Sequence, residues 1–128
     1  MKVLLDTHIL LWALADSPLL SATARDIVGA ESNECFYSPV SLTEISIKHR
    51  LHPENMVLSA TDARGAFMTA GFRELPFLSR HAAGMDLLPP HHSDPFDRML
   101  IAQAETEGMK LVSHDDKVAL YGATIIQV

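Results

Sequence analysis

The stretch His91 to Gly108, HHSDPFDRMLIAQAETEG, constrains this chain more than any other. It carries a complete set of helix signals. Asp94 suits the cap, Pro95 the first helical position, and Asp97 falls three residues past the cap. Phe96, Met99, Leu100, Gln103 and Ala104 recur at helical spacing, and Gly108 is the stop. The run from Met99 to Ala102 is so apolar that the helix must be buried. Two carboxylates therefore stand at the mouth of a buried helix. The sequence divides their work. Asp94 precedes a proline that fits the first turn, so its carboxylate is taken up by backbone N–H groups of Phe96 or Asp97. Asp97 lies further in, and its side chain leans back toward the helix N-terminus. Capping and the helix dipole account for either acid alone. Where the other acids fall decides whether they do more.

Read in order, strands alternate with helices. Lys2–Leu5 is a continuous apolar strand, the pattern of a sheet buried on both faces. Asp6 or Thr7 caps a helix over 8–14, broken by Asp16-Ser17-Pro18, and Ser21 caps a second helix reaching Gly29. A strand over 34–38 leads into a helix at Ser38-Pro39, where Ser41-x-x-Glu44 matches a capping box. That helix runs to Pro53 on Ile45, Ile47, Lys48 and Leu51. A helix over 61–70, a weak strand over 72–75 and a short helix over 79–85 follow. After the central helix come a strand at Lys110–Ser113, a short helix over 117–121 and a last strand over 124–128. This alternation predicts one α/β domain spanning 1–128, with helices on both sides of a mainly parallel sheet.

The acids gather at one edge of such a sheet. Asp6 ends the first strand, and Asp115 and Asp116 end the strand after the central helix. Glu44 is early in the helix after the second strand. Strand C-termini and the N-termini of crossover helices share the edge where ligands bind in α/β sheets. Placing Asp94 and Asp97 there is an inference about topology, because they follow a loop rather than a strand. Clustered carboxylates repel, and either protonation or a hard divalent cation relieves them. The matching chemistry is metal-assisted attack of water on a phosphodiester. Each acid is also explicable as a plain cap: Asp6, Asp115 or Asp116 on its own helix, Glu44 within the capping box. His8, His91, His92 and His114 lie near these acids, but no His-x-x-Glu-His zinc pattern occurs, which leaves them supporting or surface roles.

The chain has 128 residues, 48% of them hydrophobic, so it buries a real core and is not disordered. Its net charge of −6 argues against broad nucleic-acid affinity but not against a nuclease whose acids hold metal. No apolar run is long enough to span a membrane. Asp6 and His8 interrupt the apolar N-terminus, which therefore reads as strand and helix rather than a signal peptide. A single Cys35 excludes an internal disulfide and a thiolate zinc site, and fits a reducing cytoplasm.

Four motifs then carry a resemblance over nearly the whole chain. LLDTHILLWAL, SLTEISIK, HHSDPFDRMLIAQA and LVSHD resemble, in order, the motifs of PIN-domain proteins of the VapC-like toxin type. The resemblance implies a PIN-like three-layer α/β/α fold. It implies metal-binding acids at Asp6, Glu44, Asp97 and Asp115, with Thr7 and Ser113 as hydroxyl neighbours. It also implies a magnesium- or manganese-dependent ribonuclease acting on RNA, usually a homodimer, neutralised by a cognate antitoxin. Two departures stand out. Thr43 occupies the place before Glu44 where the subfamily often has an aromatic residue, and the Asp115-Asp116 doublet leaves the fourth ligand open. Lys48, Arg98 and Lys117 are the basic candidates for RNA phosphates. The rival readings are a receiver-like magnesium-binding regulatory domain and an inactive interaction module.

Overall fold

Val3, Leu4 and Leu5 have no exposed surface, and they divide between two cores. Val3 and Leu5 pack into one cluster and Leu4 into the other. Such a strand needs cover on both sides, which only flanking helices supply. The computed structural model describes residues 1–128 and has that arrangement. Five strands form one sheet: β1 (Lys2–Leu5), β2 (Glu34–Tyr37), β3 (Arg73–Glu74), β4 (Lys110–Ser113) and β5 (Ile125–Gln127). Their order is β3-β2-β1-β4-β5, and every pairing is parallel.

Helices α1 (Thr7–Leu14) and α2 (Ala22–Gly29) join β1 to β2, and α3 (Pro39–Leu51) and α4 (Ala60–Thr69) join β2 to β3. Helix α5 (Ser79–Gly84), a 3-10 turn (Met85–Leu87) and α6 (Pro95–Glu107) carry the chain from β3 to β4. A short α7 (Asp116–Ala119) and a second 3-10 turn (Gly122–Thr124) lead to β5. Ile9, Leu10 and Ala24 of α1 and α2 and Phe67 of α4 cover one face of the sheet. Leu100, Ile101 and Ala104 of α6 cover the other, on Leu4, Phe36 and Leu111. No helix is long and apolar enough to cross a membrane.

The central helix obeys its sequence signals. Asp94 Oδ1 accepts from Asp97 N at 2.9 Å, Pro95 starts the helix, and Gly108 ends it with φ 65°, in the left-handed region that glycine adopts freely. Fully buried Gln103 lies among its apolar neighbours. Its Nε2 donates to the carbonyls of Leu75 and Pro76 at 2.8 and 3.2 Å, tying the chain beyond β3 to α6.

Three local expectations change. The capping box at Ser41-x-x-Glu44 does not form. Proline fixes the helix start, so Ser38 caps α3 with Pro39 at its first position, and Ser41 lies inside the helix. The freed Ser41 hydroxyl accepts from Thr7 Oγ1 at 2.9 Å, joining α3 to α1. Ile47 and Leu51 face outward rather than carrying the packing of α3, which rests on Val40 and Ile45. The third strand shrinks to Arg73–Glu74, as befits a weakly patterned edge.

The strand order reverses between β1 and β4. From β1 the chain builds outward through β2 and β3, and from β4 outward to β5. Asp6 N donates to Val112 O at 3.1 Å, so the ends of the two central strands are locked side by side. The crevice beyond that reversal is where open α/β sheets bind ligands.

Candidate active site

Asp6 emerges from β1 into this crevice and caps α1. Its Oδ1 accepts from Ile9 N at 2.9 Å, and the Ser113 hydroxyl at the end of β4 also bonds its carboxylate. It is only 6% exposed, and burial pushes its pKa up. The bonds from Ser113 and Ile9 and the charge of His8 pull it down, while Glu44 pushes it up. Ser113 also accepts from Asp115 N at 3.1 Å, so one hydroxyl joins the acids that follow β1 and β4.

Asp115 caps α7, its Oδ1 accepting from Lys117 N and Val118 N at 2.7 and 3.2 Å. Its Oδ2 stands 4.0 Å from His92 Nε2. That same nitrogen is 2.7 Å from Asp97 Oδ2. His92, Asp97 and Asp115 thus bring one nitrogen and two carboxylate oxygens within 4.8 Å of one another. The Asp97 carboxyl is pushed up to about 6, first by burial and then by the charges of Asp94 and Asp6, against the opposing bond from His92. The other ring nitrogen of His92, Nδ1, is buried without a partner. An ionised Asp97 carboxylate can only accept, so in that contact Nε2 is the donor.

Glu44 enters from α3. It is 5% exposed; Oε2 takes the Lys48 ammonium at 2.5 Å, while Oε1 is buried with no hydrogen-bond partner. An unpaired, buried carboxylate oxygen in a crevice of acids is a fitting ligand for a cation. Carboxylates from four separate elements make a donor set suited to a hard divalent ion.

These four elements meet on a chain whose residues 3–123 match the family profile described as PIN domain. The chain belongs to the PIN-domain family. No curated protein matches it at a significant level. Solved structures share the fold of this PIN domain at low identity. The VapBC2 complex of Rickettsia felis bound to a DNA fragment from its promoter aligns with TM-score 0.72 and 15% identity, over 100% of this chain and 98% of that one. A toxin–antitoxin complex from Klebsiella pneumoniae gives 0.66 and 14%, over 98% and 96%. FitAcB from Neisseria gonorrhoeae gives 0.57 and 16%, over 93% and 91%.

Of the four acids singled out in the sequence, the PIN domain sets Asp97 and Asp115 side by side. Asp6 and Glu44 stand outside that tight trio; the charge of Asp6 acts on Asp97, and that of Glu44 on Asp6. Asp116 turns aside to Gln127, whose Nε2 donates to its Oδ1 at 2.6 Å. Of the doublet, Asp115 therefore faces the crevice. The residue that sequence reasoning left in a minor role is His92. The signal available for it was its place five residues before Asp97, across a loop whose course only the tertiary fold fixes. Two of the three basic candidates are also otherwise engaged: Lys48 is paired with Glu44, and Arg98 turns inward onto backbone carbonyls. Lys117 lines the open cleft beside Asp115.

Asp94 and Asp97, three residues apart, have separable jobs. Asp94→Ala removes a helix cap and is expected to lower stability by about 1 kcal/mol while leaving the crevice chemistry largely intact. Denaturant melts check this, and a variant as stable as wild type would overturn the capping role.

Proposed function

We propose that this PIN domain is a metal-dependent endoribonuclease and the toxin of a toxin–antitoxin pair. The observation that carries the reading is the close approach of His92, Asp97 and Asp115 near the reversal of strand order, with Asp6 beside them and Glu44 Oε1 buried and unpartnered. The toxin–antitoxin complexes that share the fold support the biological setting. Magnesium or manganese would be held by Asp6, Asp97 and Asp115, with Glu44 completing the set. Such an ion lowers the pKa of bound water and neutralises charge building on a phosphodiester.

The chain's own residues prepare for this. Ser113 fixes the Asp6 carboxylate and the Asp115 backbone together. His92 holds Asp97 in one orientation. Thr7 and Ser41 brace the start of α1 against α3, keeping Asp6 and Glu44 in register. The net charge of −6 leaves affinity for RNA to local contacts rather than to a basic surface. A cognate antitoxin would present Arg or Lys to the acidic crevice, since that charge relieves its repulsion. Exposed Leu51, Val57 and Leu87 are apolar surface that a homodimer or the antitoxin would cover.

A receiver-like domain fits poorly, because that doubly wound fold has the order β2-β1-β3-β4-β5 rather than the one found here. RNA cleavage by the purified protein would exclude an inactive interaction module. Purified protein incubated with total RNA should cleave it with magnesium or manganese and stop on chelation. Asp6→Asn, which keeps a capping side chain, should not cleave under either condition. Cleavage persisting in chelator, or retained at full rate in Asp6→Asn, would overturn the reading.

A further inference from the structure

Helix α1 does more than carry Asp6 into the crevice. His8 and Trp12, one turn apart, stack with ring centres 5.6 Å apart and planes 28° from parallel. His114, which follows β4, meets Trp12 edge-on at 5.5 Å. Beside this row lies a depression of about 310 Å3, walled by His8 and Trp12 on one side and by the α3–α4 loop, Asn55 to Leu58, on the other. A second depression adjoins it through His8, Asn55 and Met56 and reaches Lys48 and His52. Lys48 is the residue bonded to Glu44, and the charge of His8 is felt by Asp6. The two depressions therefore reach the neighbours of Asp6 and Glu44, His8 and Lys48. The loop wall is held in place: Met56 O lies 2.7 Å from His49 Nδ1, and Asn55 N and Met56 N both donate to His52 O at 3.0 Å.

We propose that this depression receives an unstacked base of single-stranded RNA, next to the phosphate that the carboxylates address. The proposal rests on the nuclease reading and adds a subsite to it. The walls match a base in kind. Trp12, Leu11, Met56 and Leu58 offer apolar and aromatic surface to a base face, and Asn55 and His52 offer polar groups to its edge. An apolar segment of a protein partner is a worse fit, since it would strip water from His8, Asn55, His52 and Lys48 and return no polar contact.

Trp12 is the only tryptophan in the chain, so its fluorescence reports the pocket directly. The whole protein, in chelator so that nothing is cut, is titrated with short oligoadenylate and oligouridylate and, separately, with inorganic polyphosphate. The subsite predicts saturable quenching by the oligonucleotides and none by polyphosphate. Trp12→Ala should weaken oligonucleotide retention on a filter about 5- to 100-fold. Asn55→Leu, at an exposed loop position that tolerates change, should weaken the quenching and shift which sequences are cut, which keeps the test open should Trp12→Ala not fold. Quenching by polyphosphate equal to that by RNA would overturn the subsite. So would cleavage of RNA by a protein whose Trp12 stays silent, with Asn55→Leu cutting like wild type; the nuclease reading would then survive alone. Quenching by a protein partner but not by RNA would assign the pocket to that partner and overturn the subsite as well. Failure both to bind and to cut RNA would remove the two readings together.

Discussion

Asp97→Asn is expected to abolish RNA cleavage and, at neutral pH, to raise the stability of the metal-free protein. Its carboxyl is pushed up to about 6, chiefly by burial. A raised value means that the folded state holds the proton more tightly than the unfolded chain does. The stability this proton confers is complete below the ordinary value of 3.8 and is lost as pH rises through about 6. Above that range wild type carries a half-buried anion beside Asp6 and Asp94, and the variant does not. Asn still offers an oxygen to His92 Nε2. The gain should be on the order of 1 kcal/mol, because the group keeps contact with solvent and screening discounts it. The two proteins should melt alike near pH ~3.5 and diverge by pH ~7.5. Thermal melts across that range check the sign. A variant less stable than wild type at neutral pH, or one that still cleaves RNA, would contradict it.

Arg98→Ala should cost about 3 kcal/mol and release the loop that carries His92. Arg98 Nη1 donates to Pro89 O at 3.1 Å, His92 O at 3.3 Å and Tyr121 Oη at 3.0 Å. Tyr121 in turn donates to Pro89 O at 2.8 Å and accepts from His92 N at 3.1 Å. One guanidinium and one phenol therefore pin Pro89 to His92 onto α6 and the segment after α7. Truncation takes the guanidinium donors from the carbonyls of His92 and Met85, and a single ammonium cannot replace the planar fork, so Arg98→Lys should rescue little. Denaturant melts measure the loss. If Arg98→Ala unfolds like wild type and loses only RNA affinity, then Arg98 is a phosphate contact after all.

That second case marks the limit of what the residues disclose by themselves. The start and stop of α6 were legible because Asp94, Pro95 and Gly108 act through neighbours in sequence. The burial of β1 was legible because three apolar residues in a row need two covered faces. The convergence of Asp6 with Asp115 followed from strand alternation, since both end central strands. Arg98 and His92 were not legible. Whether an arginine in a first turn reaches solvent or folds back on carbonyls depends on Tyr121, over twenty residues away. The Ser41 capping box failed for a related reason: two valid local start signals competed, and Pro39 settled the helix start earlier in the chain. The unpaired Oε1 of Glu44 is a property of packing that no spacing announces.

The central claim is that the crevice acids form one cation site, and a manganese titration tests it most directly. Calorimetry with wild-type protein and with Asp97→Asn, both in the presence of a non-hydrolysable dinucleotide to supply phosphate oxygens, measures the site without turnover. The account predicts saturable binding to wild type, reversed by chelator, and binding at least tenfold weaker in the variant. Equal affinity in the two proteins, or a flat titration of wild type into the millimolar range, would contradict it.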